Sequence, residues 1–313
     1  MQLIVILLAT VSILTILSGV TVFFGSTKGY KVRAMWFLLA SIFATFWMLT
    51  IAAFLTAKPG TEEAMKWPIR FTFISAILLD NCFLAYVSWR QKFGHLISYI
   101  FMIFGAIVSV LIALKPELLY SSVNLSPAGN TIDMNMGPLY FAYTAFFATI
   151  VPAVVMAFLR HFIASRRKKE KTTGDIITMT TFGTSSLLTL VFNLVMPLLG
   201  RWDLIWIGPL ALAATIIALY YTILCYSEFN LTSKWLKFFS YVVIIASLAI
   251  IYMLIFALIF SAMFRGATPS TEVIVLNFVM VVIMLILMPA ISNITEFIRA
   301  LISGTPKDTK KEK

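Results

Sequence analysis

The feature that most constrains this chain is an unbroken apolar run of roughly 20 residues, repeated along its whole length; a helix of that length crosses a hydrocarbon layer ~30 Å thick. The runs predict spans at residues 2–24, 34–56, 68–89, 96–114, 138–159, 175–199, 204–226, 236–263 and 272–301, nine in all. Within lipid the backbone must satisfy its own amides, which leaves helices or closed barrels. Continuous runs lack the apolar–polar alternation of a barrel strand. With 61% of residues hydrophobic and only 12% charged, the expectation is an all-α polytopic transmembrane helix bundle. The first span has no basic leader and no small-residue cleavage site, so it is read as a retained helix.

Orientation follows from the basic residues. Lys28, Lys31 and Arg33 fall in the first connection, Arg90 and Lys92 in the third, Arg160 and Arg166–Lys169 with Lys171 in the fifth, and Lys234 and Lys237 in the seventh. The even connections are balanced: Lys58 and Lys66 face Glu62 and Glu63, Arg201 faces Asp203, and Arg265 faces Glu272. This alternation predicts an N-terminus outside and a C-terminus in the cytoplasm. It also accounts for the net charge of +11 without nucleic acid, since basic helix ends meet anionic headgroups of the lipid bilayer. The segment 115–137, with Pro116, Pro127, Gly129, Asn130 and Gly137, is expected to be an irregular outer loop or lid. Three regions result: a seven-helix domain over 1–231, a two-helix hairpin over 232–303, and a disordered basic tail over 304–313.

A charge in the middle of a span is costly unless it is paired or wet, so Asp80 in the third span, beside Asn81 and Cys82, is the first functional candidate. It suits a ligand anchor, a proton-linked switch or an ion site; the plainer alternative is an acid hydrogen-bonded inside the bundle. In the sixth span Thr178, Thr181, Ser185, Thr189 and Asn193 recur every three or four residues and share one helical face. That face is either a packing seam or one polar wall of a cavity. Pro197 has no amide hydrogen and so deprives the Asn193 carbonyl of its helical donor. Trp202 and Trp206 suit interface anchoring. Pro152, Pro209 and Pro289 are places for a bend. His95 and His161 fall in connections, and Cys82 and Cys225 stand far apart in sequence, so no metal site or cofactor is expected. No phosphate-cradling loop, nucleophile elbow or acid pair appears, which argues against an enzyme.

The stretch from Asn193 to Leu231 carries a longer pattern: Asn193, Pro197, Asp203, Trp206, Gly208 and Pro209, then Tyr226, Phe229 and Leu231. It resembles the close of the N-terminal seven-transmembrane sensor region of bacterial histidine kinases and diguanylate cyclases. The resemblance implies a multi-pass bacterial inner-membrane sensor. Taken with the residues singled out above, it leads to the expectation that an outside ligand or a membrane-borne cue binds near the outer ends of the third, sixth and seventh spans, with Asp80, Asn81, Ser185, Thr189, Asn193, Pro197, Asp203 and Trp206 as the candidates. The signal would leave through Tyr226, Glu228 and Phe229 to a separate cytoplasmic or membrane partner, with a second copy of the chain also admitted. Kinase activity is not implied, since the last hairpin and tail follow where a catalytic domain would begin. The rival functions are a small-molecule or ion transporter using Asp80, and an assembly subunit of a membrane complex.

Overall fold

The computed structural model describes residues 2–57, 61–91, 95–125, 132–167, 173–200 and 202–225, nearly all of them helical. The long helices are α1 (Gln2–Gly25), α2 (Lys31–Leu55), α3 (Glu62–Gln91), α4 (His95–Leu114), α5 (Leu139–Arg167) and α6 (Thr173–Leu190). A π-turn at Val191–Val195 follows, then the short α7 (Met196–Leu198) and finally α8 (Ile207–Cys225). Among the described residues six helical stretches are long and apolar enough to cross a membrane, and Ile207–Ile223 is a shorter apolar one. A membrane-embedded helix bundle is therefore the architecture. The predicted spans at 236–263 and 272–301, the tail, and Tyr226, Glu228 and Phe229 lie outside the described residues.

The most deeply buried helix is α3, packed on α2, α4 and α5, while α8 packs on α1, α2 and α6. Its sequence explains this position: Ile69, Phe73, Ala76, Ile77, Leu79, Phe83, Leu84 and Val87 point to more than one side and are all buried, as expected of a helix that is apolar all round. On α4 the outward residues Ile100, Ile103, Ile107, Val110 and Leu114 are each more than half exposed, a face suited to lipid.

Two expectations are corrected here. The segment 115–137 is ordered in part as an antiparallel hairpin, β1 (Tyr120–Leu125) with β2 (Ile132–Met136), pairing Tyr120 with Met136 and Leu125 with Ile132. Of the turn formers that suggested a loop, Pro127, Gly129 and Asn130 fall in sequence between the two strands, while Pro116 and Gly137 flank them. Helix α5 continues to Arg167 instead of ending near 159, because no Gly or Pro interrupts it there. His161 therefore lies on a helix, with Nε2 3.4 Å from Asp175 Oδ1 at the start of α6 and 3.4 Å from Ser165 Oγ.

Several basic side chains also turn inward. Lys31 donates to the Phe23 carbonyl at 2.6 Å, closing the end of α1, and Arg70 donates to the Ala113 carbonyl at 3.2 Å near the end of α4. Cations suit these positions because the last carbonyls of a helix lack partners and carry partial negative charge. Arg33 donates to the Tyr86 hydroxyl at 3.1 Å and lies over its ring. These contacts qualify the reading of the basic residues as headgroup contacts alone.

Candidate functional site

Pro197 and Gly200 set up the corner between α6 and α8. A proline in a helix removes one amide donor and crowds the preceding turn; here the chain widens into the π-turn Val191–Val195, with the Met196 amide reaching the Val191 carbonyl. Such turns recur at functional positions. Gly200, with φ +74°, ends the helix in the left-handed region, and its amide donates to the Pro197 carbonyl at 3.0 Å. The chain then re-enters the bundle through a 3₁₀ turn, Trp202–Leu204, which buries Trp202 and Ile205.

The polar face of α6 meets α8 along this corner. Thr215 donates to the Thr181 carbonyl at 3.4 Å. Thr189 donates both to the Ser185 carbonyl at 2.9 Å and to the Gly208 carbonyl at 3.1 Å. Asn193 Nδ2 donates to the Ile205 carbonyl at 3.1 Å. The carboxamide oxygen of Asn193 rests against Gly208, where any Cβ would collide with it. Of the two readings left open by the sequence, Thr181, Ser185 and Thr189 belong to the packing seam. Asn193 alone also reaches a cavity.

That cavity is a partly open cleft with about 30 Å³ of space inside it. Trp47, Ile51 and Phe54 of α2, Ile69, Thr72 and Phe73 of α3 and Tyr143 of α5 form three of its sides. Asn193, Trp202 and Ile205 close the fourth. Aromatic packing holds its walls: the Phe73 and Tyr143 rings meet edge to face with centroids 5.0 Å apart, and Tyr140 stacks on Tyr143 at 6.0 Å. Thr72 donates to Thr50 Oγ1 at 2.9 Å, tying α3 to α2. Two lining groups keep unmet hydrogen-bonding capacity in a buried setting, the Trp47 indole N–H and the Asn193 carboxamide oxygen. Groups of this kind are rare in folded proteins and call for a partner.

Tyr140 braces the same corner by donating to the Leu194 carbonyl, inside the π-turn, at 3.2 Å. Tyr140→Phe is expected to cost about 1 kcal/mol, the usual net worth of one such bond. Faster amide exchange confined to residues 191–200 would confirm it, and unchanged exchange there would contradict it.

The remaining candidates fall elsewhere. Asp80 and Asn81 are buried in the middle of α3, and Asp80 stands seven residues, or about 10 Å of helix rise, below Phe73. Neither lines the cleft. Trp206 is half-buried, and Asp203 belongs to the 3₁₀ turn. Trp202 is buried in the cleft wall, which overturns its reading as an interface anchor. Pro152 lies inside α5 without ending it, and Pro209 occupies the first turn of α8, where its missing amide costs nothing. Trp47, Thr72, Phe73 and Tyr143 were not singled out from sequence. The only available signal was two tyrosines three residues apart at the start of the fifth span, Tyr140 and Tyr143. Among the described residues no group of three or more His, Cys, Asp or Glu could hold a metal ion. No protein-family model, curated protein or solved structure matches this chain.

Proposed function

We propose that this protein is a multi-pass membrane sensor that takes a small, neutral, largely aromatic molecule in the cleft and passes the resulting helix shift to a separate partner. One observation carries the reading: ten residues from α2, α3, α5, the π-turn and the turn before α8 line one cleft, and none is a carboxylate or a cation. Apolar walls with a few polar groups are the usual make-up of a small-molecule site. A ligand there touches both sides of the α6–α8 corner, so it has differential contacts with any state in which that corner moves. The nine-span topology, with the N-terminus outside and the C-terminus cytoplasmic, rests on the alternation of Lys and Arg among the connections. It puts the cleft at the outer surface. The resemblance of Asn193–Leu231 to bacterial seven-transmembrane sensor regions agrees with this assignment and with an inner-membrane location.

A transporter is the second reading, favoured by one fact: Asp80 is 1% exposed and both its carboxyl oxygens lack partners. The two readings separate on the partner. Photoreactive residues at Ile163, on the exposed inner end of α5, and in the 304–313 tail, crosslinked in native membranes and analysed by mass spectrometry, are expected to recover a kinase, a cyclase or another regulator. Phe229→Ala is expected to abolish that recovery. Recovery of lipid and the chain itself alone would contradict partner-borne signalling.

A further inference from the structure

Below the cleft the bundle holds buried polar groups that the ligand reading does not use. Asp80 Oδ1 and Oδ2 and Ser186 Oγ are all buried without a hydrogen-bond partner. Their level in the bundle follows from a ring contact. Phe83 of α3 and Phe182 of α6 meet edge to face with centroids 5.3 Å apart. An odd-numbered and an even-numbered helix of an up-and-down bundle run antiparallel, so one turn outward from this contact is Asp80 on α3 and Ser186 on α6. Residues three or four apart share a helical face, so both face the same gap. Phe83 and Phe182 meet at one level, and Asp80 and Ser186 stand one turn away on the helix faces that carry those rings.

The hydroxyl of Ser186 behaves differently from its neighbours. Thr181, Thr184 and Thr189 each donate back to the carbonyl four residues earlier in α6, whereas Ser186 makes no such bond. Among the described helices that pack near Asp80, groups that could neutralise it are absent by position. The spanning stretches 34–55 of α2, 96–114 of α4, 139–159 of α5 and 176–190 of α6 contain no Lys, Arg, His, Asp or Glu. Tyr143 of α5 and Cys82 of α3 are the titratable groups within electrostatic reach, and neither is a cation. An isolated carboxylate in a bundle core is costly unless its charge is met. One positive charge balances one carboxylate; a divalent ion would leave an excess.

We propose that Asp80 and Ser186 form a core site for one monovalent cation, a proton or a sodium ion, between α3 and α6. The carboxyl supplies the charge and up to two oxygens, and the hydroxyl supplies a third. Asn81 stands apart from it, its carboxamide lying over Gly105 of α4. Tyr143 lines the cleft and is within electrostatic reach of Asp80. The cation site does not depend on the identity of the cleft ligand.

The test uses the purified full chain in lipid nanodiscs and reads the thermal unfolding midpoint. A cation that binds only the folded state stabilises it by mass action. In choline chloride the wild-type midpoint is expected to fall as pH rises from about 6 to about 9, since protons are withdrawn from the site. Replacing choline by sodium at the higher pH is expected to restore it if sodium is the occupant, and to have no effect if the proton is. Asp80→Asn, a neutral isostere, is expected to remove the dependence found, whichever it is, and subtraction of its curve cancels every contribution the two proteins share. Ser186→Ala keeps the carboxylate and is expected to weaken the response several-fold. Trp47→Phe is expected to leave the response intact, separating this site from the cleft. Identical pH and sodium responses in wild type and Asp80→Asn would overturn the proposal, as would a wild type that responds to neither.

Discussion

Gly208→Ala is expected to lower the unfolding midpoint of the protein sharply and to open the α6–α8 corner. A methyl group there collides with the Asn193 carboxamide oxygen, a rigid group held on its other side by the 3.1 Å bond to the Ile205 carbonyl. Forcing a carbon into a filled space costs about 1–3 kcal/mol. Displacing Asn193 also breaks that hydrogen bond and strains the bond from Thr189 to the Gly208 carbonyl, at about 1 kcal/mol each. The total of about 3–5 kcal/mol is large for a single methyl. The mechanism has a signature: Asn193→Ala removes the obstruction, so the double variant should be destabilised by less than the sum of the two single ones. Additive losses in a double-mutant cycle would show that Gly208 matters for another reason.

Trp47 is expected to separate stability from binding. It is 1% exposed and forms much of the cleft wall. Trp47→Ala should cost about 3–5 kcal/mol, as truncation of a buried aromatic does. Trp47→Phe keeps most of the packing and deletes an indole N–H that is buried without a partner. Leaving such a donor unmet costs about 1–3 kcal/mol, so this variant should unfold at nearly the wild-type midpoint while losing any ligand that accepts from the indole. A Trp47→Phe protein that binds as the wild type does would remove the indole from the site.

Much of the fold was legible because the bilayer writes it in length. Apolar runs gave the described spans to within a few residues, except that α3 begins at Glu62, six residues before the expected start, and α5 runs on to Arg167. The outer hairpin was missed because Pro116, Pro127 and Gly129 read equally as loop and as strand punctuation. The corner was legible in part: the i, i+4 ladder ending at Asn193 and the nearby Pro197 announced a polar face and a disturbed helix. The π-turn itself, and the burial of Trp202, depend on how the chain after Gly200 folds back. The rest of the cleft was hidden for a physical reason. Trp47, Phe73 and Tyr143 are ordinary apolar or aromatic span residues, and sequence does not say which of them face lipid and which face one another. Asp80 was visible at once because a lone acid inside a span is so costly. Its separation from the cleft, and its level with Ser186, needed the Phe83–Phe182 contact.

The central claim is that the cleft receives a neutral aromatic molecule which accepts a hydrogen bond from Trp47. The direct measurement is binding of three flat probes to the full chain in nanodiscs, followed by tryptophan fluorescence, since Trp47 and Trp202 both line the cleft. The probes are 2-quinolone, which carries a carbonyl acceptor and an N–H donor; naphthalene, which carries neither; and 1-naphthoate, which is charged. The account predicts saturable quenching by 2-quinolone that weakens several-fold in Asn193→Ala, weaker binding of naphthalene, and none of 1-naphthoate. Equal binding of all three, or a preference for the anion, would contradict it.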